Sequence, residues 1–437
     1  MTSIQVGTLD RPGGGFGDRV ASPSSSLVKG FLLAYLIALH AIPVANMLGL
    51  GSVFPGTIIT LLFSAICIWL MLVYGVARIE AGGPLFTGLD GIIGLYAVYC
   101  IASFFLYLQP GHPVTPIAFL YGVNHLLLPL PLFFAVKLVN RRDQRSLIRA
   151  IVYLNVAMVL VGLIVFYMRP GFYTTFLGSY FQESRNLVTP ELLYVRLNSY
   201  VGSTAVGILA AITIALIPRL KLPVGAGPAI VSLMVIAAML SQQRGGLAAT
   251  ALAVAYFLVA GQGRLRTRVL SIGAAVVVIV VMAIAFESRY PGVLAYSGDK
   301  ALSIGSALSE RFHSYQVGWD YFLRFPLGLG LGATSSAVYN AGLIVGEEVT
   351  DANFARILAD LGIVGVTLFS VVLFSLYTRA MRAPQALGWL TILTIYLLVS
   401  LGTNVFDGFY VAHLFWLFAG IIDSEHSPIA QRVPINV

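Results

Sequence analysis

The chain has 437 residues, of which 58% are hydrophobic and only 10% charged, where a soluble domain carries roughly a quarter charged residues. Its net charge of +8 lies in that apolar background and reads as loop charge beside a membrane rather than as a nucleic-acid surface. Cys67 and Cys100 both fall inside apolar runs with no CxxC or Cys/His cluster, which argues against a disulfide framework and against a zinc or iron–sulfur site.

Residues 1–26 are polar and rich in Gly, Ser and Pro, the composition of a disordered tail with no cleavable signal peptide. Beyond them, apolar runs of membrane-crossing length recur, and each predicts a helix. They fall near 28–46, 53–75, 89–108, 115–137, 148–168, 199–217, 225–241, 246–261, 269–286, 353–378, 386–404 and 408–422. The expected fold is therefore all-α, a polytopic membrane domain over 27–425 with about twelve spans, ending in a short tail at 426–437. Twelve spans place both termini on one side. Seventeen of the 26 Lys and Arg then fall on that side and nine on the other, so the terminal side is cytoplasmic by the positive-inside bias. The strongest vote is the basic run KLVNRRDQRSLIR at 137–149. Two long segments, 169–198 and 287–352, remain outside and are expected to build a small cap. Within the second, Phe312, Tyr315, Trp319 and Phe322 recur at helical spacing. They predict either an amphipathic helix near the outer membrane face or an ordinary packed cap helix.

Chemistry-bearing residues gather on the outer side. The stretch MLSQQRGGLAA at 239–249 sets Arg244 among Ser241, Gln242, Gln243, Gly245 and Gly246, between two spans with almost no loop. A charge within the bilayer costs roughly 2.5–3.5 kcal/mol unless it faces a protein-lined cavity. Arg244 is thus either a residue snorkelling to the interface or an anion site. In the second case its guanidinium fork suits phosphate oxygens, and the glycines let backbone come close to a ligand. Arg311 opens the expected cap helix and precedes FPLGLGLGA at 325–333, whose Gly328 and Gly330 belong to a close-approach loop or tight turn. That run lacks the strand–turn–helix setting of a dinucleotide site. In GEEVTDANFARILADLGIVG at 346–365, Glu347, Glu348 and Asp351 cluster before a span, with Asn353, Arg356 and Asp360 just inside it. Such carboxylates either cap the helix start or act as a general base toward a hydroxyl.

The ordered set SQQRGG, ERFHSYQVGWDYFLRFPLGLGLG and TDANFARILADLGIVG resembles the O-antigen ligase and O-antigen polymerase superfamily of bacterial envelope glycosyltransferases. RLNSYVGSTAVGILAA at 196–211 also resembles that family's earlier Arg-containing start of a span. The resemblance covers about residues 196–370 in motif order. It implies a GT-C-like, metal-independent enzyme of the bacterial inner membrane with its active site in the periplasmic cap and no cofactor. Its partners would be an undecaprenyl-diphosphate-linked glycan donor, a glycan acceptor, membrane lipid, and chain-length regulator and flippase proteins; no nucleic acid is implied. Arg244, Arg311 and Arg196 fall where the family binds diphosphate, with Ser241, Gly245, Gly328, Gly330 and Asn353 in support. Ligases of the family carry a histidine eleven residues before the first glycine of Gly-x-x-Gly, and here that position is Asp351. This departure favours a polymerase of repeat units in exopolysaccharide or O-antigen synthesis, with Asp351, Glu347 or Glu348 as base. The alternative is a ligase to lipid A-core using Asp351 or His313. A transporter or flippase would call for internal repeats, and none is visible.

Overall fold

Hydrocarbon offers no partner to a backbone N–H or carbonyl, so a spanning chain bonds to itself as helix. The computed structural model describes residues 24–50, 56–80, 88–173, 197–199, 201–223, 225–260, 304–335, 338–339, 342–344, 352–407 and 409–426, with isolated positions between 269 and 288. Among the described residues the architecture is all-helical, with one isolated bridge between Val114 and Ile344 and no strand.

The helices are α1 (Ser25–Met47), α2 (Gly56–Glu80), α3 (Gly88–Ala102), α4 (Ala118–Gly122), α5 (Leu132–Ala135) and α6 (Arg141–Met168). They continue as α7 (Ser203–Leu216), α8 (Ala226–Ser241), α9 (Arg244–Ala260), α10 (Ile304–Arg324), α11 (Asn353–Arg382), α12 (Ala386–Ser400) and α13 (Phe409–His426). Six helical segments are long and apolar enough to cross a membrane: α1, α2, α3 with its 3₁₀ extension, 118–138, α6 and α11. α7, α8, α9 and α12 are apolar but shorter, so among the described residues six of the expected spans reach crossing length. Of the expected span at 269–286 only isolated positions are described, each of them helical. Most of 169–198, including Arg196, and the stretches 289–303 and 345–351 of the second outer segment, including Glu347, Glu348 and Asp351, lie outside the described residues, as do the tails at 1–23 and 427–437.

α7 sits at the centre and is buried along its whole length. It packs against α6, α8, α9 and α12. Gly207 of α7 meets Gly246 of α9 so closely that a Cβ on Gly246 would lie 2.8 Å from the Gly207 Cα. Small residues allow this approach where no hydrophobic force drives helices together in lipid.

Two segments depart from regular helix. The expected span near 115–137 is broken into α4, a π turn at Val123–Leu127, α5 and a 3₁₀ turn at Val136–Leu138. Pro129 and Pro131 lie in the break and have no N–H to carry the helix across it. α11 breaks at Gly362, whose φ of 60° is left-handed. The freed carbonyls of Ala359 and Asp360 accept hydrogen bonds from Leu329 and Gly330 N–H, at 2.9 and 2.8 Å. Ile363 N–H in turn donates to Pro326 O at 3.1 Å. The glycine-rich run after α10 is thus stitched into the gap in α11.

Five of the cations expected on the terminal side have acidic partners in the fold. Lys29 pairs with Asp143 at 2.8 Å. Arg219 pairs with Glu425 at 2.9 Å and lies 3.6 Å over the Trp389 ring. Deeper in, Arg78, Lys137 and Arg379 surround Asp90 and Asp423. Arg78 reaches Asp90 at 2.6 Å, Lys137 bonds both carboxylates, and Arg379 bonds Asp423. The cluster joins α2, α3, α11, α13 and the 3₁₀ turn that bears Lys137.

Candidate functional site

α8 gives way to α9 across two residues. Gln242 takes a left-handed conformation at φ 52° and Arg244 already begins α9. Ser241 is buried, and its hydroxyl donates to Ala238 O at 2.7 Å within its own helix. Gln243 Nε2 donates to Ser203 Oγ at 2.9 Å, fastening the turn to the start of α7. Leu197 donates its N–H to Leu240 O at 2.9 Å, which ties Leu197 to the end of α8.

α10 brings a second arginine to this turn. Arg311 is half-buried, and its guanidinium lies against Gly402, just beyond α12. A Cβ at Gly402 would stand 2.7 Å from the Arg311 Cζ. Tyr315, one turn along α10, donates its hydroxyl to Leu401 O at 3.1 Å. Arg244, Gly245, Ala248, Arg311, Tyr315 and Gly402 line one cavity of about 440 Å³. That volume lies within the ~300–1,000 Å³ of small-ligand sites. No Asp or Glu is among the described residues lining it. Two permanent cations on one concave wall suit an anion, and each guanidinium can offer a bidentate fork to phosphate oxygens.

The other supporting residues stand elsewhere. Gly328 and Gly330, at φ 91° and 103°, lie in the loop joined to α11, with the Asp360 carbonyl and the Tyr107 ring where their Cβ atoms would be. Asn353 is the buried first residue of α11. Asp360 is buried too, and Thr334 N–H and Oγ1 donate to its Oδ1, both at 2.8 Å. Gly332 N–H donates to its Oδ2 at 3.1 Å, and the Arg356 Nε lies 3.5 Å from the same oxygen. These bonds make Asp360 the lock of the glycine loop. The expected bases Asp351, Glu347 and Glu348 lie outside the described residues.

α10 presents two faces. Ser314, Val317, Gly318 and Tyr321 are buried, and Gly318 abuts the Ala355 carbonyl of α11. Phe312 and Trp319 from the expected aromatic stripe are 66% and 52% exposed, so the stripe is not the packing face. Sequence reasoning missed Gly402 and Tyr315 as neighbours of Arg311. The signals available were a glycine ending an apolar run and a tyrosine one helical turn from the arginine.

Residues 229–370 match the family described as O-antigen ligase. The match runs from α8 into α11 and contains both cavity arginines. It supports the resemblance to the O-antigen ligase and polymerase superfamily, and with it a glycosyltransferase-type membrane protein acting on glycan and lipid-linked substrates. No curated protein matches the chain.

Proposed function

We propose that this protein polymerises undecaprenyl-diphosphate-linked oligosaccharide repeat units at the periplasmic face of a bacterial inner membrane. The observation that carries the proposal is the shared cavity of Arg244 and Arg311, contributed by separate helices. In the reaction, an acceptor hydroxyl oxygen forms a bond to the anomeric carbon of the donor sugar. The bond from that carbon to the diphosphate oxygen breaks, and the electron pair leaves with the diphosphate. The two guanidiniums hold the diphosphate and stabilise the charge gathering on it, which preorganised donors do without reorganising during the reaction. The hydroxyl proton passes to a carboxylate, assigned to Asp351 with Glu347 and Glu348 as neighbours. The resemblance assigns Arg196 to the diphosphate as a third arginine.

Aspartate at the position where ligases carry histidine favours polymerisation. The family description favours the second reading, transfer of finished glycan to lipid A-core. The glycans of a deletion strain separate them. Accumulated single lipid-linked repeats are the outcome expected of a lost polymerase. Full-length polymer that fails to reach lipid A-core would overturn the proposal in favour of the ligase. Normal glycan on both counts would remove both readings.

A further inference from the structure

A second cavity, of about 750 Å³, adjoins the arginine cavity. Phe312 and Tyr315 line both, so the two meet at one turn of α10. Their chemistry differs. The described residues lining the larger cavity include no Lys or Arg; besides Tyr315, whose hydroxyl donates to Leu401 O, its polar side chains include His313, Gln316 and Asp320. These stand at i, i+3 and i+7 on α10, and Phe312, Tyr315 and Trp319 form a parallel row with the same spacing, as helical geometry requires of one face. The opposite wall is apolar, from Phe354, Ala355 and Leu358 of α11.

A diphosphate belongs with the two arginines and is disfavoured beside Asp320, because like charges repel most strongly in a partly dry site. A polyprenyl tail has no use for a carboxylate, an amide and an imidazole on one wall. An uncharged sugar uses both rows. Its hydroxyls donate to the Asp320 carboxylate and exchange hydrogen bonds with the Gln316 amide and the His313 ring. Its C–H faces lie on the exposed Trp319 and Phe312 rings, whose flat apolar surfaces bury large areas at low conformational cost.

We infer that the cavity between α10 and α11 is the acceptor-saccharide site, with Gln316, Trp319 and Asp320 as the residues that recognise the glycan. The inference rests on the reading of the arginine cavity as the donor site. It adds that one helix serves both substrates, presenting the donor through Arg311 and the acceptor through Trp319, with Tyr315 at the boundary.

The test uses full-length protein in lipid nanodiscs and two probes, inorganic pyrophosphate and the oligosaccharide repeat released by mild acid from the host's own lipid-linked pool. Saturable quenching of tryptophan emission by the saccharide is expected, and Trp319→Phe is expected to abolish it. Asp320→Ala and Gln316→Ala are expected to weaken saccharide binding tenfold or more while leaving pyrophosphate binding within twofold. Retained pyrophosphate binding also shows that these variants are folded. Arg244→Ala and Arg311→Ala are expected to do the reverse. Saccharide binding unchanged in Asp320→Ala and Gln316→Ala, or absent from the unsubstituted protein while pyrophosphate still binds to it, would overturn the acceptor site. So would competition for the Trp319 signal by free polyprenol, which would make the cavity a groove for the lipid tail. Pyrophosphate binding unchanged in Arg244→Ala and Arg311→Ala, while Asp320→Ala and Gln316→Ala still lose the saccharide, would instead sink the donor assignment.

Discussion

Arg244 was legible at the residue scale because the sequence leaves it little room. A permanent charge between two apolar runs, with a two-residue turn, has to face either the interface or a cavity, and it lines a cavity. Gly402 and Tyr315 were not legible as its companions' supports, since their partnership with Arg311 arises only when α10 folds onto the end of α12. Lysine at 244 keeps the charge and loses the fork. Hydrogen bonds to charged groups contribute about 1.5–3 kcal/mol, so Arg244→Lys is expected to lower polymer synthesis roughly 10- to 100-fold at unchanged membrane abundance. Polymer length and yield on a gel, with an immunoblot for abundance, check this; wild-type chains from both Arg244→Lys and Arg244→Ala would reduce the residue to an interfacial anchor. A sugar hydroxyl is too weak an acid to ionise at neutral pH, and a placed base contributes ~10²–10⁴-fold. Asp351→Asn is therefore expected to cut turnover by that order while lipid-linked donor still binds. Near-normal turnover in Asp351→Asn, with failure of Glu347→Gln or Glu348→Gln, would move the base to those glutamates.

At the scale of elements, the apolar periodicity located the helices well, because burial in lipid and burial in protein both demand long apolar runs. The interruptions were harder to read. A glycine within an apolar helix is usually tolerated, so Gly362 gives no local hint that α11 breaks there. The break exists because the glycine loop from Pro326 onward supplies the hydrogen bonds that the helix gives up. Asp360 secures that loop through three donors, and removing its carboxylate orphans them. Each buried orphan costs about 1–3 kcal/mol, so Asp360→Ala is expected to destabilise the protein by at least about 3 kcal/mol. Gly362→Ala is expected to act in the same direction, because its Cβ would stand 2.7 Å from Gly328 N and meet the Pro326 carbonyl. Thermal melting in detergent measures both. A melting temperature unchanged in Asp360→Ala would show that the loop does not depend on this carboxylate.

For the whole molecule, the sequence speaks most clearly through charge. Five of the basic residues assigned to the terminal side, Lys29, Arg78, Lys137, Arg219 and Arg379, are held by Asp90, Asp143, Asp423 and Glu425, while Arg244 and Arg311 meet in a different place. Reporter fusions at 180 and 320 are expected to read periplasmic and one at 144 cytoplasmic; a cytoplasmic reading at 320 would remove Arg311 from a periplasmic site. The Asp90–Asp423 cluster also bears on how the chain is made. A membrane protein is inserted in the order of its synthesis, so Arg78, Asp90, Lys137 and Arg379 are all in place before α13 arrives with Asp423. Until then three cations, of which Arg78 and Lys137 are buried in the finished fold, share one carboxylate, and an uncompensated buried charge costs several kcal/mol. α13 therefore brings the second carboxylate to a cluster that begins in α2, and the cluster's charges are matched only once α13 is in place. In a pulse-chase, a chain stopped before Phe409 and full-length Asp423→Asn are both expected to be cleared faster than wild type, whereas one stopped after His426 is expected to persist.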